Sequence, residues 1–157
     1  MAIEIERKFL LADERWRADV VRSVPMHQGY LGSDPQCSVR VRLAGNAAWL
    51  NIKSATLGIE RLEFEYAIPP ADAETMLQRL CSARSLSKTR HHVPHGGHTW
   101  EIDEFDGLNR GLVVAELELA HVDEAFARPA WLGQEVSDDP RYYNVCLIDN
   151  PYTCWDR

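Results

Sequence analysis

No stretch of this chain is apolar for the ~20 residues that a membrane-spanning helix needs. Its first residues, EIERK, also lack the basic-then-greasy order of a secretory signal. A cytoplasmic location is the expectation, with no part for a membrane. Cysteine is sparse: Cys37, Cys81, Cys146 and Cys154 stand far apart with no CxxC pair. That argues against a disulfide framework, a thiolate zinc site and, for want of a paired His and Asn pattern, a cysteine nucleophile. Positive charge is in the minority, with 17 Lys and Arg against 24 Asp and Glu for a net charge of −7. A general binder of nucleic-acid duplex is thereby excluded, although a local basic site inside an acidic shell is not. Repeats, low-complexity tracts and internal linkers are missing too. The 157 residues, 45% of them hydrophobic and 26% charged, read as one domain over 1–157; a chain of that length buries about 70% of its unfolded surface.

What is present is alternation. Residues 3–10, IEIERKFL, put Ile3, Ile5 and Phe9 on one face, interrupted by Arg7, and Glu4, Glu6 and Lys8 on the other. Period two is the pattern of a strand with one dry face. Further strands are expected at 26–31, 37–43, 48–54, 59–68, 85–93, 98–105 and 111–120. Tight turns at AGNA and PHGG join two hairpins. Segment 13–24 reads as a short helix or turn ended by Pro25. ADAETMLQRL (71–80) reads as an amphipathic helix with Ala73, Met76, Leu77 and Leu80 on one side, and 122–127 and 140–149 as short helices. Seven or eight strands with few helices predict an α+β, mainly β fold: an antiparallel sheet or barrel with helices packed outside.

The charges fall on one face of strand after strand. Arg40 and Arg42 oppose Val39, Val41 and Leu43; Trp49, Asn51 and Lys53 oppose Leu50 and Ile52; Arg61, Glu63 and Glu65 oppose Leu62, Phe64 and Tyr66. Lys88 and Arg90, then Glu101 and Asp103, continue the series. Glu116 and Glu118 close it against Ala115, Leu117 and Leu119. The outside of a sandwich would mix in Ser, Thr and Gln. Pairs such as Arg-x-Arg and Glu-x-Glu instead suit the inside of a barrel, where such a density of charge is costly without ligand or water. Eight carboxylates and seven cations leave that lumen at −1, and two divalent cations would bring it to +3. Clustered carboxylates suit hard cations such as Mg2+ or Mn2+, and multiple Arg and Lys suit phosphoryl oxygens. A compact polyanion with its metal ions is the ligand this predicts.

These residues resemble the CYTH superfamily, the triphosphate tunnel metalloenzymes. Glu4-x-Glu6-x-Lys8 looks like its ExExK signature. The likeness continues in order through QGYL (28–31), VRVRL (39–43), NIKS (51–54), RLEFEY (61–66), KTR (88–90), EIDEFDG (101–107), VVAELEL (113–119) and RYYN (141–144). The resemblance implies an eight-stranded antiparallel barrel, a tunnel with a charged lumen, and is nearest to the short bacterial tripolyphosphatases. It implies Glu4, Glu6, Asp103, Glu116 and Glu118 as ligands of two Mg2+ or Mn2+ ions. Lys8, Arg40, Arg42, Lys53, Arg61, Lys88 and Arg90 would hold the triphosphate, Glu4, Glu6, Lys8, Glu116 and Glu118 carrying the chemistry. Family members are often dimers, so a homodimer is expected. Glu63 matches a lumen acid of open role. Where relatives carry lysines around R-Y-x-N, near the tunnel mouth, this chain has Tyr143 and Val145, and its tail 151–157 matches no pattern.

The implied activity is hydrolysis of inorganic tripolyphosphate to pyrophosphate and phosphate. Class IV adenylate cyclase, thiamine-triphosphatase and a silent polyphosphate or nucleotide binder are the alternatives. A thiamine ring would need a stacking aromatic at the entrance, for which Trp49 and Trp100 are the candidates. A pure anion binder gains nothing from Glu4, Glu6, Glu116 and Glu118 without metal. His91, His92, His95 and His98 form a second, weaker metal candidate at a hairpin tip.

Overall fold

The computed structural model describes residues 3–32 and 34–156. Eight strands alternate up and down: β1 (Ile3–Leu11), β2 (Arg22–Tyr30), β3 (Cys37–Ala44), β4 (Ala47–Ser54), β5 (Glu60–Ile68), β6 (Ser85–His95), β7 (His98–Phe105) and β8 (Val113–Leu119). Every pairing is antiparallel, in the order β5-β4-β3-β2-β6-β7-β8-β1. The sheet shuts when the start of β1 pairs with β5 through Ile3↔Leu62, Glu4↔Arg61 and Ile5↔Glu60. The expected eight-stranded antiparallel barrel is therefore present. A ninth strand, β9 (Leu132–Glu135), takes the far half of β1 at Phe9 and Leu11, with an irregularity of register between them.

Apolar alternate residues face outward and are covered on two sides. Phe9, Trp100, Ile102, Ala115, Leu117 and Trp131 form one outer core, under a 3-10 turn at Arg15–Asp19 that inserts Trp16. Helix α1 (Pro70–Arg79) lays Ala73 and Leu77 on Val41 and Ala48 to form the second. That approach is close: a Cβ at Gly29 of β2 would lie 2.5 Å from the Cβ of Cys81. A third cluster, Leu86, Phe105, Leu112, Val114 and Leu147, sits at one end of the barrel beneath helix α2 (Asn144–Asp149).

The hairpins fall where turn residues predict them, and the differences have local causes. The strand expected from residue 26 begins at Arg22, so Pro25 lies inside β2 opposite Thr89. Pairing with β3 starts only at Met26, and a proline is tolerated where a strand has a neighbour on one side. Segment 122–127 is not helical; Phe126 instead packs edge-on against the rings of Phe9 and Trp100. Segment 140–149 splits into a 3-10 turn at Pro140–Tyr142 and α2, because Tyr143 between them is extended. β9 escaped the pattern since LGQE does not alternate. It needs Gly133, where a Cβ would come within 2.8 Å of the Leu10 carbonyl oxygen.

Candidate active site

The inward faces of the barrel strands enclose a cavity of about 450 Å3. Glu4, Glu6, Lys8, Arg40, Arg42, Lys53, Arg61, Lys88, Arg90, Glu116 and Glu118 all border it, as do Glu63, Glu65 and Glu101. Strand registry explains the convergence. Glu6 lies opposite Glu118, Lys8 opposite Glu116, Glu101 opposite Glu116, and Arg40 opposite Asn51, so that successive strands present their charges at matching depth. Asp103 is the exception among the predicted residues. It is fully buried on the inward face beneath Lys88 and Arg90, and accepts from Lys88 Nζ at 2.6 Å and from Arg90 Nε and Nη2 at 2.8 and 2.9 Å. Both its oxygens are thus engaged by cations.

Acids and bases are paired unevenly. Glu116 meets Lys8 at 3.4 Å and Arg90 at 3.1 Å, while Lys53 donates to both oxygens of Glu4 at 3.2 and 3.1 Å. Burial opposes ionisation of Glu116, yet Lys8, Arg90 and Lys88 together hold its carboxyl well below the ordinary range. Burial likewise opposes Asp103, and Arg90 and Lys88 bring it down. Burial moves Lys88 itself down to about 8, against the pull of Asp103. Glu6 is the opposite case. Burial, then the charges of Glu116 and Glu4, push its carboxyl up to about 8. Burial and the neighbouring acids Glu4, Glu101 and Glu63 raise Glu118 as well.

Two kinds of unmet demand result. The Nε groups of Arg40, Arg42 and Arg61 are buried and make no hydrogen bond among the described residues, Arg61 Nε lying 4.0 Å from Glu4, and all three side chains line the cavity, where their charge is available to an anion. On the other side, Glu6 and Glu118 crowd Glu4 and Glu116 with too little countercharge, and every donor is a carboxylate oxygen, the ligand type of a hard divalent cation. The residues present therefore fit a divalent metal, although no cluster of three or more His, Cys, Asp or Glu among the described residues is already drawn tight enough to hold one.

Neutral groups that charge patterning passes over complete the lining. Tyr30, Ser38, Tyr143 and Asn144 border the cavity. Asn51, fully buried, donates from its amide to Glu63 at 3.0 Å and Glu65 at 2.7 Å. Gln28, also fully buried, donates to Asn144 at 3.2 Å. The sequence signal for Gln28 and Tyr30 is parity, for they alternate inward on β2, but nothing in their chemistry marks them. Trp100 is not at the entrance: it is buried in the outer core against Phe9 and Trp131. Trp49 lies beneath the Arg42 guanidinium at 5.1 Å. The histidines disperse, His91 to Ser23 and Glu104 and His98 to Glu124, and build no metal cluster among the described residues.

Known proteins share this architecture. A family model for the CYTH domain matches residues 2–143. The chain is 42% identical over 152 residues to an inorganic triphosphatase of Acetivibrio thermocellus, with 97% of either chain covered. A crystal structure of an inorganic triphosphatase superposes with a TM-score of 0.67 at 34% identity, covering 94% of this chain and 95% of that one. A putative adenylate cyclase from Bacillus halodurans, with a TM-score of 0.60 at 16% identity over 78% of this chain and 84% of that one, shares the fold alone.

Proposed function

The chain belongs to the CYTH domain family, and on that premise we propose that it hydrolyses inorganic tripolyphosphate to pyrophosphate and phosphate within the charged lumen. One observation carries the reading: the guanidinium side chains of Arg40, Arg42 and Arg61, whose buried Nε groups make no hydrogen bond among the described residues, line the same cavity as carboxyls short of countercharge. The first wants a polyanion, the second its cations.

The family implies a divalent metal cofactor, and the all-oxygen donor set supports Mg2+ or Mn2+, two ions in this reading. Glu4, Glu6, Glu116 and Glu118 would hold them. Asp103 reaches a metal only by giving up Lys88 or Arg90, so its first role is to orient those two. When bound, the metal supplies Lewis acidity toward phosphoryl oxygens and water. The protein's own part is positioning and neutralisation, which is most of what phosphoryl transfer asks. Arg40, Arg42 and Arg61 offer planar forks to non-bridging oxygens, and Lys8, Lys53, Lys88 and Arg90 add charge along the chain of phosphates. Those nearest the leaving pyrophosphate offset its developing charge. The site would act in the cytoplasm on a small polyanion, without nucleic acid or membrane. Leu62, Phe64 and Tyr66, exposed along the outside of β5, support a homodimer within the same reading.

The test is phosphate release from tripolyphosphate, ATP and thiamine triphosphate with Mg2+ or Mn2+, cyclic AMP being assayed in parallel. Tripolyphosphate is expected to be the best substrate by kcat/KM. Faster turnover of either organic triphosphate, or formation of cyclic AMP, would overturn the assignment.

A further inference from the structure

On the outside of the barrel, polar side chains from four elements form one hydrogen-bonded row that the tunnel does not use. Lys88 and Arg90 of β6 line the lumen, so Thr89 and His91 between and beyond them face outward. Ser23 of β2 stands directly opposite His91 in the ladder. Its hydroxyl lies 2.7 Å from His91 Nδ1, and His91 Nε2 lies 3.1 Å from Glu104 Oε1 of β7. Arg17, in the turn at Arg15–Asp19, completes the row. It donates from Nη1 and Nη2 to the two oxygens of Glu104 at 3.2 and 2.7 Å. The buried ring of Trp16 packs 5.2 Å from the His91 ring and shields it, while Ser23 is exposed.

The protons in this row are assigned by its chemistry. Arg17 and, after it, His91 hold the Glu104 carboxyl below its ordinary range against the effect of burial. An ionised carboxylate only accepts, so the imidazole proton sits on Nε2. Nδ1 is then left as an acceptor, and the Ser23 hydroxyl donates to it. A hydroxyl, a neutral imidazole and an orienting carboxylate in that order are the parts of an activated nucleophile.

We propose that Ser23 and His91 form a second catalytic site, on the outer face of the barrel, that hydrolyses short-chain carboxylic esters, with Glu104 as its positioning residue. The site goes beyond the tunnel reaction and stands independently of it. Ser23 Oγ bonds to the acyl carbon as His91 Nδ1 takes the hydroxyl proton. The bond from the acyl carbon to the alcohol oxygen then breaks, and the alcohol leaves with that proton. Water repeats the two steps, giving the free acid and restoring Ser23. Residues 22–25 pair with β6 alone, so the other edge of β2 beside Ser23 is open, with main-chain N–H groups for an ester oxygen. Val21, two residues earlier and 69% exposed, offers apolar surface to a short acyl group.

The experiment uses the intact chain in EDTA, with a fluorophosphonate probe and p-nitrophenyl acetate. Peptide mapping of the wild type should place the phosphonyl adduct on Ser23, and p-nitrophenolate should appear in a burst that approaches one equivalent. Ser23→Ala should lose both adduct and burst. His91→Gln should slow labelling at least about a hundredfold. Glu104→Gln should lower kcat on the ester about tenfold or more with KM little changed, a split that a merely structural role would not give. An adduct elsewhere than on Ser23, a burst that survives in Ser23→Ala, or an unmoved kcat in Glu104→Gln would overturn the proposal. Should His91→Gln or Glu104→Gln melt early, the position of the adduct on the wild type decides alone.

Discussion

Glu6 of β1 stands directly opposite Glu118 of β8, two carboxylates in register across one antiparallel ladder. Like charges so placed destabilise a sheet, and here they are carried by the barrel's first and last strands. The arrangement costs free energy in the absence of a cation, and a cation bound between the two would offset that cost. Each of the following outcomes tests that view or its surroundings.

Glu6→Gln should leave the metal-free protein as stable as wild type or more so, because it removes a deeply placed carboxyl that its neighbours disfavour. The same change should abolish the rise in melting temperature that Mg2+ or Mn2+ gives the wild type, and reduce tripolyphosphate turnover at least about a hundredfold. Differential scanning calorimetry with and without EDTA checks the first two. A metal-dependent rise that survives in the variant would remove Glu6 from the metal site.

Asp103→Asn should behave in the opposite way. Its carboxylate is the shared partner of Lys88 and Arg90 in a fully buried setting. Arg90 keeps Glu101 and Glu116, but Lys88 would be left with a neutral amide in place of its carboxylate partner, which should cost about 3–5 kcal/mol. Urea denaturation measures it, and a loss below about 1 kcal/mol would show that the wall relaxes to let water in.

Arg40→Gln should weaken tripolyphosphate binding about tenfold or more, with little change in melting temperature. Arg40 is 7% exposed, its Nε makes no hydrogen bond among the described residues, and it interacts with the Tyr30 hydroxyl rather than with a carboxylate, so removing its charge strips no acid of its ion pair. Calorimetric titration in EDTA separates binding from turnover. Unchanged affinity would place the anion elsewhere in the lumen.

Outside the tunnel, the Arg7 guanidinium forks onto Glu135 at 2.8 and 2.6 Å and joins β1 to β9. The hydrogen bonds from Arg7 hold the Glu135 carboxyl below its ordinary value of 4.5. A carboxyl with a depressed folded pKa stabilises fully above its unfolded value, and that stability is lost as pH falls through the folded one. Glu135→Gln should therefore cost about 1–2 kcal/mol at pH 7. The gap to wild type should narrow as pH falls below 4.5 and through the lower folded value. A gap that persists in acid would mean that packing, rather than the ion pair, carries β9.

The metal and phosphate candidates were legible because β-structure converts parity into address. Glu4, Glu6 and Lys8 alternate, as do Arg40 and Arg42, and each such pair lands on the same wall once the barrel closes. Charge made the face conspicuous, since no soluble sheet needs so many ions on one side. The same rule failed where the chemistry was neutral. Gln28 and Asn144 are amides that meet each other and, at Asn144, Lys88; Asn51 shares the charged face of its strand, but its bonds to Glu63 and Glu65 follow only from registry, and a neutral amide on a strand or helix looks like any surface residue.

Local pattern thus determined the strands, their turns, the inward face and the kind of ligand that face demands, because period two and charge are properties of neighbouring residues. Tertiary structure alone decided the depth of each group and its partner. It buried Asp103 beneath Lys88 and Arg90, left Arg40 without a hydrogen bond at Nε, and brought residues 142–145 back across 134 positions to meet Lys8. Registry between strands far apart in sequence, and the docking of a terminal segment on an apolar plug, arise only when the barrel shuts. No window along the chain contains them.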